Sequence, residues 1–498
     1  MLLLINANRM QPPIAPIGLD YLAAYLRVRG ERVEVLDLTW AAEGCLGEVA
    51  GGEGEAGQIA SALAAAWPGN EPELVGISFR NVDDCFWPSA AWFVPQLVDL
   101  VRQIRLRTAA PIVLGGVGYS IFPGELLRVS GADYGIVGDG EQALASLWQH
   151  VRGKGTRERV PGLVWRAGDA LRRNPPAWPR QLETPPQREA FDNGAYFSRG
   201  GQIGVETKRG CPRLCSYCVD PLIKGRGARL RDPRTVAAEF STLAAQGVDT
   251  IHLCDAEFNL PIRHAREVCD ALIAGGWGQR MRWYAYLAVV PFDEDLARRM
   301  ARAGCVGINF TSDSADPGML AAYGHPHGRE DLRAAVRLCH RYGLRVMYDL
   351  LLGGPGETRA SVSDSIAFFR GVGADAVGAA LGMRLYPGTA LTNCILGVFP
   401  PPEGIRRHYG GPIDLVRPTF YIAPELGEQP AAWVRELIAA DSRFFGPEDG
   451  LREAGSGSDH NYHASPALIE AIAQGARGAY WHILAALQQG MPLPGREG

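Results

Sequence analysis

The sequence predicts an α/β protein in three parts: a doubly wound, Rossmann-like parallel domain, a partial (β/α)6 barrel of the TIM type, and a mixed, mainly helical C-terminal region. Three observations predict it. Short Val/Ile/Leu-rich runs alternate with helical patterns over residues 1–152. A proline-rich stretch interrupts them over 153–200, and the alternation resumes over 201–393 before ceasing in 394–498.

In the first part, LLLINAN, RVEVLDL, LVGISFR, PIVLGG and ADYGIVG read as strands that end in turn residues. GLDYLAAYLRVRG, EAGQIASALAAAW and SAAWFVPQLVDLVRQIR between them carry apolar residues at helical spacing. Strictly alternating strands and helices build a parallel sheet, with ligands held beyond the carboxyl ends of its strands. Residues 153–200 read as a surface linker: VPGLVWR suits a small hairpin, whereas NPPAWPRQLETPP cannot enter a helix or sheet interior.

IGVETKRG, TIHLCDAEF, RWYAYLAV, VGINFTSD, RVMYDLLLGG and AVGAALGMRLYP supply six strands of the second alternating part, with helices such as PRTVAAEFSTLAAQG and REDLRAAVRLCHRYG between them. Such a barrel places its site at the C-terminal strand ends. Beyond it come a Pro-rich FPPPEG, helical patterns near 430–443 and 465–489, and a polar GSGSDHNYH.

Hydrophobic content of 47% and charged content of 21% describe an ordinary globular protein, and a net charge of −4 gives no general attraction to nucleic acid or anionic membranes. No apolar run reaches the roughly 18 residues of a membrane span. No cationic region precedes MLLLINAN, so a cytoplasmic location is expected. Thiols stay reduced there, and clustered cysteines bind metal more often than they pair.

KRGCPRLCSYC sets Cys211, Cys215 and Cys218 in one short loop after a strand. Three thiolates at this spacing wrap a small inorganic cube and leave one iron without a protein ligand, open to the amino and carboxylate groups of a substrate. The competing reading is structural zinc, which asks for four closed ligands, and no second CxxC pair is present. The other cysteines, including Cys254, have no ligand spacing.

This Cys-x3-Cys-x2-Cys loop resembles the signature of the radical S-adenosylmethionine superfamily, and the resemblance extends over about 201–393. It implies a 4Fe–4S cluster on Cys211, Cys215 and Cys218, with Tyr217 near the adenine of S-adenosylmethionine. Asp255 and Glu257, at the second strand end, stand where the superfamily contacts the methionine amino group. The resemblance further implies ribose contacts at Asp313 and Ser314 and close backbone approach to a ligand at Gly353 and Gly354. Arg384 lies at the sixth strand end, with Tyr386-Pro387-Gly388-Thr389 behind it.

The first domain lacks the GxGxxG of dinucleotide sites. Its glycines gather instead at Gly115, Gly116 and Gly118 before Ser120, and at Gly138 and Gly140 before Glu141, where the backbone can approach a nucleotide-like tail. PPIAPIGLDYLAAYLR, SFRNVDDC, VLGGVGYSIFP and DYGIVGDGE resemble recurring segments of the cobalamin-binding domain in cobalamin-dependent radical S-adenosylmethionine enzymes. That resemblance implies bound cobalamin, with Arg80, Asn81, Asp83 and Cys85 facing the corrin. The Asp-x-His-x-x-Gly motif is absent and no histidine precedes His150, so the domain supplies no histidine to cobalt. Arg80 is expected beneath the cobalt, or paired with Asp83 or Asp84. Cys85 is either a cobalt ligand or an inert thiol.

Together the resemblances imply a methyltransferase. It moves a methyl group from S-adenosylmethionine through methylcobalamin to a carbon of a small-molecule, lipid or peptide substrate, using a 5′-deoxyadenosyl radical made at the cluster. They imply an external one-electron reductant of the flavodoxin or ferredoxin type and no nucleic-acid partner. Ring formation or rearrangement without methyl transfer, and a non-catalytic corrinoid carrier or sensor, are the alternatives. A tRNA methylthiotransferase would carry a basic RNA-binding module and a second set of cluster cysteines, and neither is evident. His460, Asn461, Tyr462 and His463 in the C-terminal loop are candidate substrate contacts, as are His252, Tyr284, Tyr286 and Tyr348 on the barrel strands.

Overall fold

The computed structural model describes every residue except 9, 43–54, 68, 186, 399, 401, 448–461, 463, 464 and 496–498. Five predicted strands open the chain: β1 (Leu2–Asn6), β2 (Val33–Asp37), β3 (Leu74–Ser78), β4 (Ile112–Gly115) and β5 (Tyr134–Ile136). They are parallel in the order β2-β1-β3-β4-β5, which reverses between β1 and β3 and so makes a crevice at the carboxyl ends there. Every residue of β1 is buried, as expected for a strand covered by helices on both faces.

The stretch expected to be a linker does more. Its hairpin, β6 (Leu163–Ala167) and β7 (Ala170–Arg173), pairs antiparallel with β5 and extends the first sheet to seven strands. An unpaired β5 edge would expose its hydrogen-bonding groups, and the nearest following segment covers it.

The barrel begins with β8 (Gly204–Val205). A two-stranded ribbon, β9 (Lys208–Arg209) and β10 (Arg229–Leu230), then brackets the cysteine loop. The strands β11 (Thr250–Leu253), β12 (Arg282–Ala288), β13 (Cys305–Asp313), β14 (Arg345–Leu352) and β15 (Ala376–Leu381) follow in spatial sequence, all parallel. A three-stranded sheet of β16 (Met383–Arg384), β17 (Ile405–Arg407) and β18 (Thr419–Tyr421) sits beyond β15. The C-terminal region adds β19 (Phe444–Phe445), a seventh parallel strand beside β15 that is too short to leave a pattern in the sequence. The helices Pro466–Ala473 and Tyr480–Gln489 pack on the barrel through Leu468, Ile472, Trp481 and Leu484 against Tyr284, Met347 and Phe445. Tyr480 Oη donates to Pro13 O at 3.2 Å and to Gly200 O at 3.4 Å, so this region joins the two ends of the barrel sheet.

The two sheets are fastened by a buried charge cluster. Arg188 Nε donates to Asp20 Oδ2 at 2.6 Å, and Arg188 Nη1 donates to Glu239 Oε1 at 2.6 Å and to Gly204 O at 2.9 Å. Asp20 belongs to the helix Ile17–Val28 of the first domain and Glu239 to the barrel helix Pro233–Ala245. Arg231 Nη1 meets Glu239 Oε2 at 2.7 Å and donates to Tyr21 Oη at 3.0 Å. Arg188, Asp20, Glu239 and Arg231 are all buried. Removing one partner from such a set strands the remaining charges in a poorly solvating interior. Arg188→Met is therefore expected to lose about 3–5 kcal/mol in urea unfolding. An unchanged unfolding midpoint would refute this role.

Candidate active site

The cysteine loop is held from three directions. Cys211 N donates to Gly225 O at 3.1 Å, Ser216 N to Tyr323 O at 3.0 Å, and Leu391 N to Ser216 O at 2.8 Å. Gly210 turns the chain into the loop at φ +88°, and a Cβ there would stand 2.3 Å from Gly227 O, so only glycine suits the position. The three thiols are close enough to raise one another: burial, then Asp313 and Glu257, then Cys211 push Cys215 up to about 12. Burial and Asp220, followed by Cys215 and Cys211, likewise raise Cys218. No group of three or more His, Cys, Asp or Glu side chains among the described residues is gathered tightly enough for one metal ion.

Beside the loop lie two buried groups of opposite charge without hydrogen-bond partners, Lys208 Nζ and Glu257 Oε2. Burial raises the Glu257 carboxyl to about 7, opposed by a hydrogen bond from Thr311 and by the charge of Lys208. The two unbonded atoms leave a cation and an anion beside the loop without internal partners. Tyr217 Oη and His325 Nε2, the latter at 2.5 Å, both reach Asp313 Oδ2. Asp313 itself sits at φ +56° beyond a register irregularity at the end of β13. The structure thus brings together Tyr217 and Asp313, which the sequence places on the same cofactor.

Other expected contacts are committed to the protein. Asp255 accepts from Thr207 N at 2.8 Å, Thr207 Oγ1 at 2.5 Å and Lys208 N at 3.1 Å, so it clamps the turn before the cysteine loop. Ser314 Oγ caps Asp316 N at 3.1 Å and meets Ser365 Oγ at 3.2 Å. Gly353 N and Gly354 N both donate to Glu357 Oε2. Gly353 has φ +97°, and a Cβ on Gly354 would stand 2.4 Å from Tyr323 Oη, so these glycines serve a tight turn against Tyr323. Arg384 Nε meets Asp83 Oδ2 at 2.8 Å and its Nη atoms reach the carbonyls of Leu385, Thr419 and Leu415, which makes the pair a second clasp between the domains.

Along the first sheet, a groove of about 960 Å³ (part of it open to solvent) is lined by Gly115, Gly116, Ser120, Gly138, Gly140 and Glu141 among others. These are six of the seven residues the sequence singles out after β4 and β5; Gly118 instead packs against the Phe79 and Arg80 backbone. Ser120 Oγ donates to Gly116 O at 2.9 Å and accepts from Gly138 N at 3.3 Å, joining the two glycine turns. Glu141 pairs with Arg209 at 2.8 Å. Burial opposes the Glu141 charge, and Arg209 overrides it to hold the carboxyl below its usual value.

Arg80 follows β3 and is accessible to solvent, yet desolvation lowers its affinity for the proton, with Cys254, Tyr480 and Tyr286 facing it. Asp83 is taken by Arg384, and no described side chain pairs with Arg80. Asn81 Oδ1 is buried without a partner. Burial raises Cys85 to about 11, and its Sγ accepts from Tyr386 Oη at 3.6 Å. Tyr286 is 40% exposed, and desolvation pushes its hydroxyl up, with Asp349, Cys254 and Arg80 near it. Asn309 pairs with Tyr286 across β12 and β13 and leaves Oδ1 unbonded. His252 is buried, stacked on Tyr284 at 5.3 Å, and leaves Nε2 unbonded. Tyr348 faces the other way and donates to Leu332 O at 2.7 Å. Tyr462 lies near Asp349 and Tyr286, whereas His460, Asn461 and His463 lie outside the described residues.

Sequence reasoning missed Lys208, Thr311, His325 and Asn309. Lys208 left a signal, a charged residue in the strand pattern just ahead of Cys211. No local pattern marks His325, which reaches Asp313 only in the fold.

The Radical SAM superfamily profile matches residues 205–369, and the B12 binding domain profile matches residues 4–147. The tryptophan 2-C-methyltransferase of Streptomyces laurentii is 28% identical, over 99% of this chain and 97% of its own. The structure of the radical S-adenosylmethionine methyltransferase TsrM from Kitasatospora setae, with tryptophan substrate and the analog aza-SAM bound, superposes with a TM-score of 0.86 at 30% identity, covering 98% of each chain. The same enzyme with cobalamin and a [4Fe-4S] cluster bound gives 0.85 at 29% identity, covering 98% of this chain and 97% of that one.

The raised Glu257 carboxyl has a measurable consequence. Below pH 4.5 it is protonated folded or unfolded, whereas above 7 the folded cofactor-free protein must bury its charge. Glu257→Gln is expected to stabilise the cofactor-free protein at pH 8 by up to ~3 kcal/mol, with the gain vanishing below about pH 4.5. A pH-independent difference in thermal unfolding would refute the assignment.

Proposed function

Because the chain belongs to the cobalamin-dependent radical S-adenosylmethionine methyltransferase family, we propose that it methylates a carbon of a small aromatic substrate, tryptophan or a compound with its indole ring. The observation that carries this reading is the approach of the two domains at Arg80. Arg80, at a strand end of the B12-binding domain, faces Cys254, Tyr286 and Tyr480 on the barrel side. Two cofactor ends that open on one space let a substrate lie between them. Full-length similarity to a tryptophan 2-C-methyltransferase supports the aromatic substrate. So do Tyr286, beside Arg80, and the stacked His252–Tyr284 pair on the neighbouring strands β11 and β12.

When bound, the cluster supplies an electron, cobalamin a transferable methyl group, and S-adenosylmethionine the methyl source. Cys211, Cys215 and Cys218 hold the cluster and leave one iron open. Glu257 takes an ammonium group, and the Tyr217–Asp313–His325 set holds the nucleoside side of the donor. Asn309 Oδ1 offers an acceptor to a substrate N–H. The groove with Gly116 and Gly138 takes the nucleotide tail of cobalamin. Arg80 would face the bound cobalamin as a cation, in a domain with no histidine before His150. The C-terminal helices close the barrel and keep water from the reacting groups.

No described helix is long and apolar enough to cross a membrane. A flavodoxin or ferredoxin as reductant, and a cytoplasmic location that keeps ten cysteines reduced, complete the proposal.

Anaerobically reconstituted protein is expected to transfer labelled methyl from S-adenosylmethionine to a carbon of tryptophan or an indole analogue, with one S-adenosylhomocysteine per product. Cys211, Cys215 and Cys218 changed together to Ala should abolish cluster iron and product. Arg80→Met should retain cobalamin and slow transfer at least about tenfold, about 1.4 kcal/mol of barrier. Donor cleavage to 5′-deoxyadenosine with no methylated product from any aromatic substrate would overturn the reading.

A further inference from the structure

Lys208 is 1% exposed and its ammonium has no hydrogen-bond partner. A buried ammonium is costly unless something answers its charge. Its surroundings are anionic. Lys208 N is tied to Asp255 Oδ1 at 3.1 Å, and the Lys208 charge acts on Cys211, Asp255 and Glu257. The nearby cation Arg213 donates to Val290 O and is only half-buried. β9 holds Lys208 in register with Leu230 of β10, so its position is set by the ribbon that brackets the cysteine loop.

A cluster on three thiolates is negatively charged before it accepts an electron. One electron from the reductant adds a further unit of negative charge and breaks no bond. In a site that already holds Asp255, Glu257 and Asp313, that added charge is opposed by every carboxylate and favoured by a buried cation. Reduction potentials of such clusters follow net charge, hydrogen bonding and solvent exposure.

We propose that Lys208 is the buried countercharge of the cluster, a positioning residue that sets how readily the cluster takes its electron from the reductant. The proposal rests on Cys211, Cys215 and Cys218 holding that cluster, and iron and sulfide analysis tests that premise separately.

The test is an anaerobic redox titration of the reconstituted full chain, with the reduced cluster read by electron paramagnetic resonance and no S-adenosylmethionine present. Lys208→Met should keep full iron and sulfide while its reduced-to-oxidised ratio at a fixed potential falls on the order of tenfold, a negative midpoint shift of about 59 mV for a one-electron couple. Lys208→Arg should restore most of that shift. An unchanged midpoint in Lys208→Met with full iron and sulfide overturns the proposal. So does a variant that loses only affinity for S-adenosylmethionine, which would make Lys208 an anchor for the donor carboxylate instead. If Lys208→Met fails to fold, Lys208→Gln, which keeps a polar side chain and removes the charge, gives the same test. It should shift the midpoint negatively, and no shift with full iron and sulfide overturns the proposal. Wild-type protein without iron and sulfide would defeat the cysteine assignment rather than the role of Lys208.

Discussion

Arg188 is held in the interior by Asp20 of one domain and Glu239 of the other, and the positions of all other functional groups depend on that junction. Chemistry that uses two large cofactors requires the carboxyl ends of two sheets to face each other at a set distance. Apolar burial alone is non-directional and would tolerate sliding. A buried arginine with two carboxylates and the Gly204 carbonyl is directional, because its donors point along fixed lines. Arg384 with Asp83, and Arg209 with Glu141, repeat the device nearer the site. Each pairs a cation of the barrel with an anion of the first domain.

The polar residues around the cysteine loop and the domain junction fall into two kinds. Asp255, Ser314, Arg384, Asp83 and Glu141 satisfy their hydrogen-bonding groups within the protein and serve as scaffold. Lys208 Nζ, Glu257 Oε2, Asn81 Oδ1, Asn309 Oδ1 and His252 Nε2 are buried without partners. Buried polar atoms are nearly always bonded, so the second kind stands out from the scaffold. Residue type does not separate the two: Asp255 and Glu257 are neighbouring acids on one loop, yet one clamps backbone and the other keeps an unbonded oxygen.

Much of the fold was legible because period and composition report local structure directly. The five parallel strands of the first sheet, six strands of the barrel and the helices Pro233–Ala245 and Arg329–Arg341 stand where the patterns place them. β19 has only two residues, and the hairpin of β6 and β7 has no apolar alternation on its second strand, so neither announced its sheet. The cysteine loop and the glycine turns that line the groove were legible because their chemistry is carried by residues close in sequence. His325 and Asp313, or Arg80 and Tyr286, meet only through long-range packing.

The sequence by itself determined the order of the domains, the three thiols of the loop and the absence of a histidine before His150, because each is a matter of residue type and short spacing. Only the tertiary structure decided which acids keep an unbonded oxygen, that Asp83 answers Arg384 rather than Arg80, and that Arg80 and Tyr286 face each other. Partnership between charges is settled by distance and burial, and elements far apart in the chain supply both.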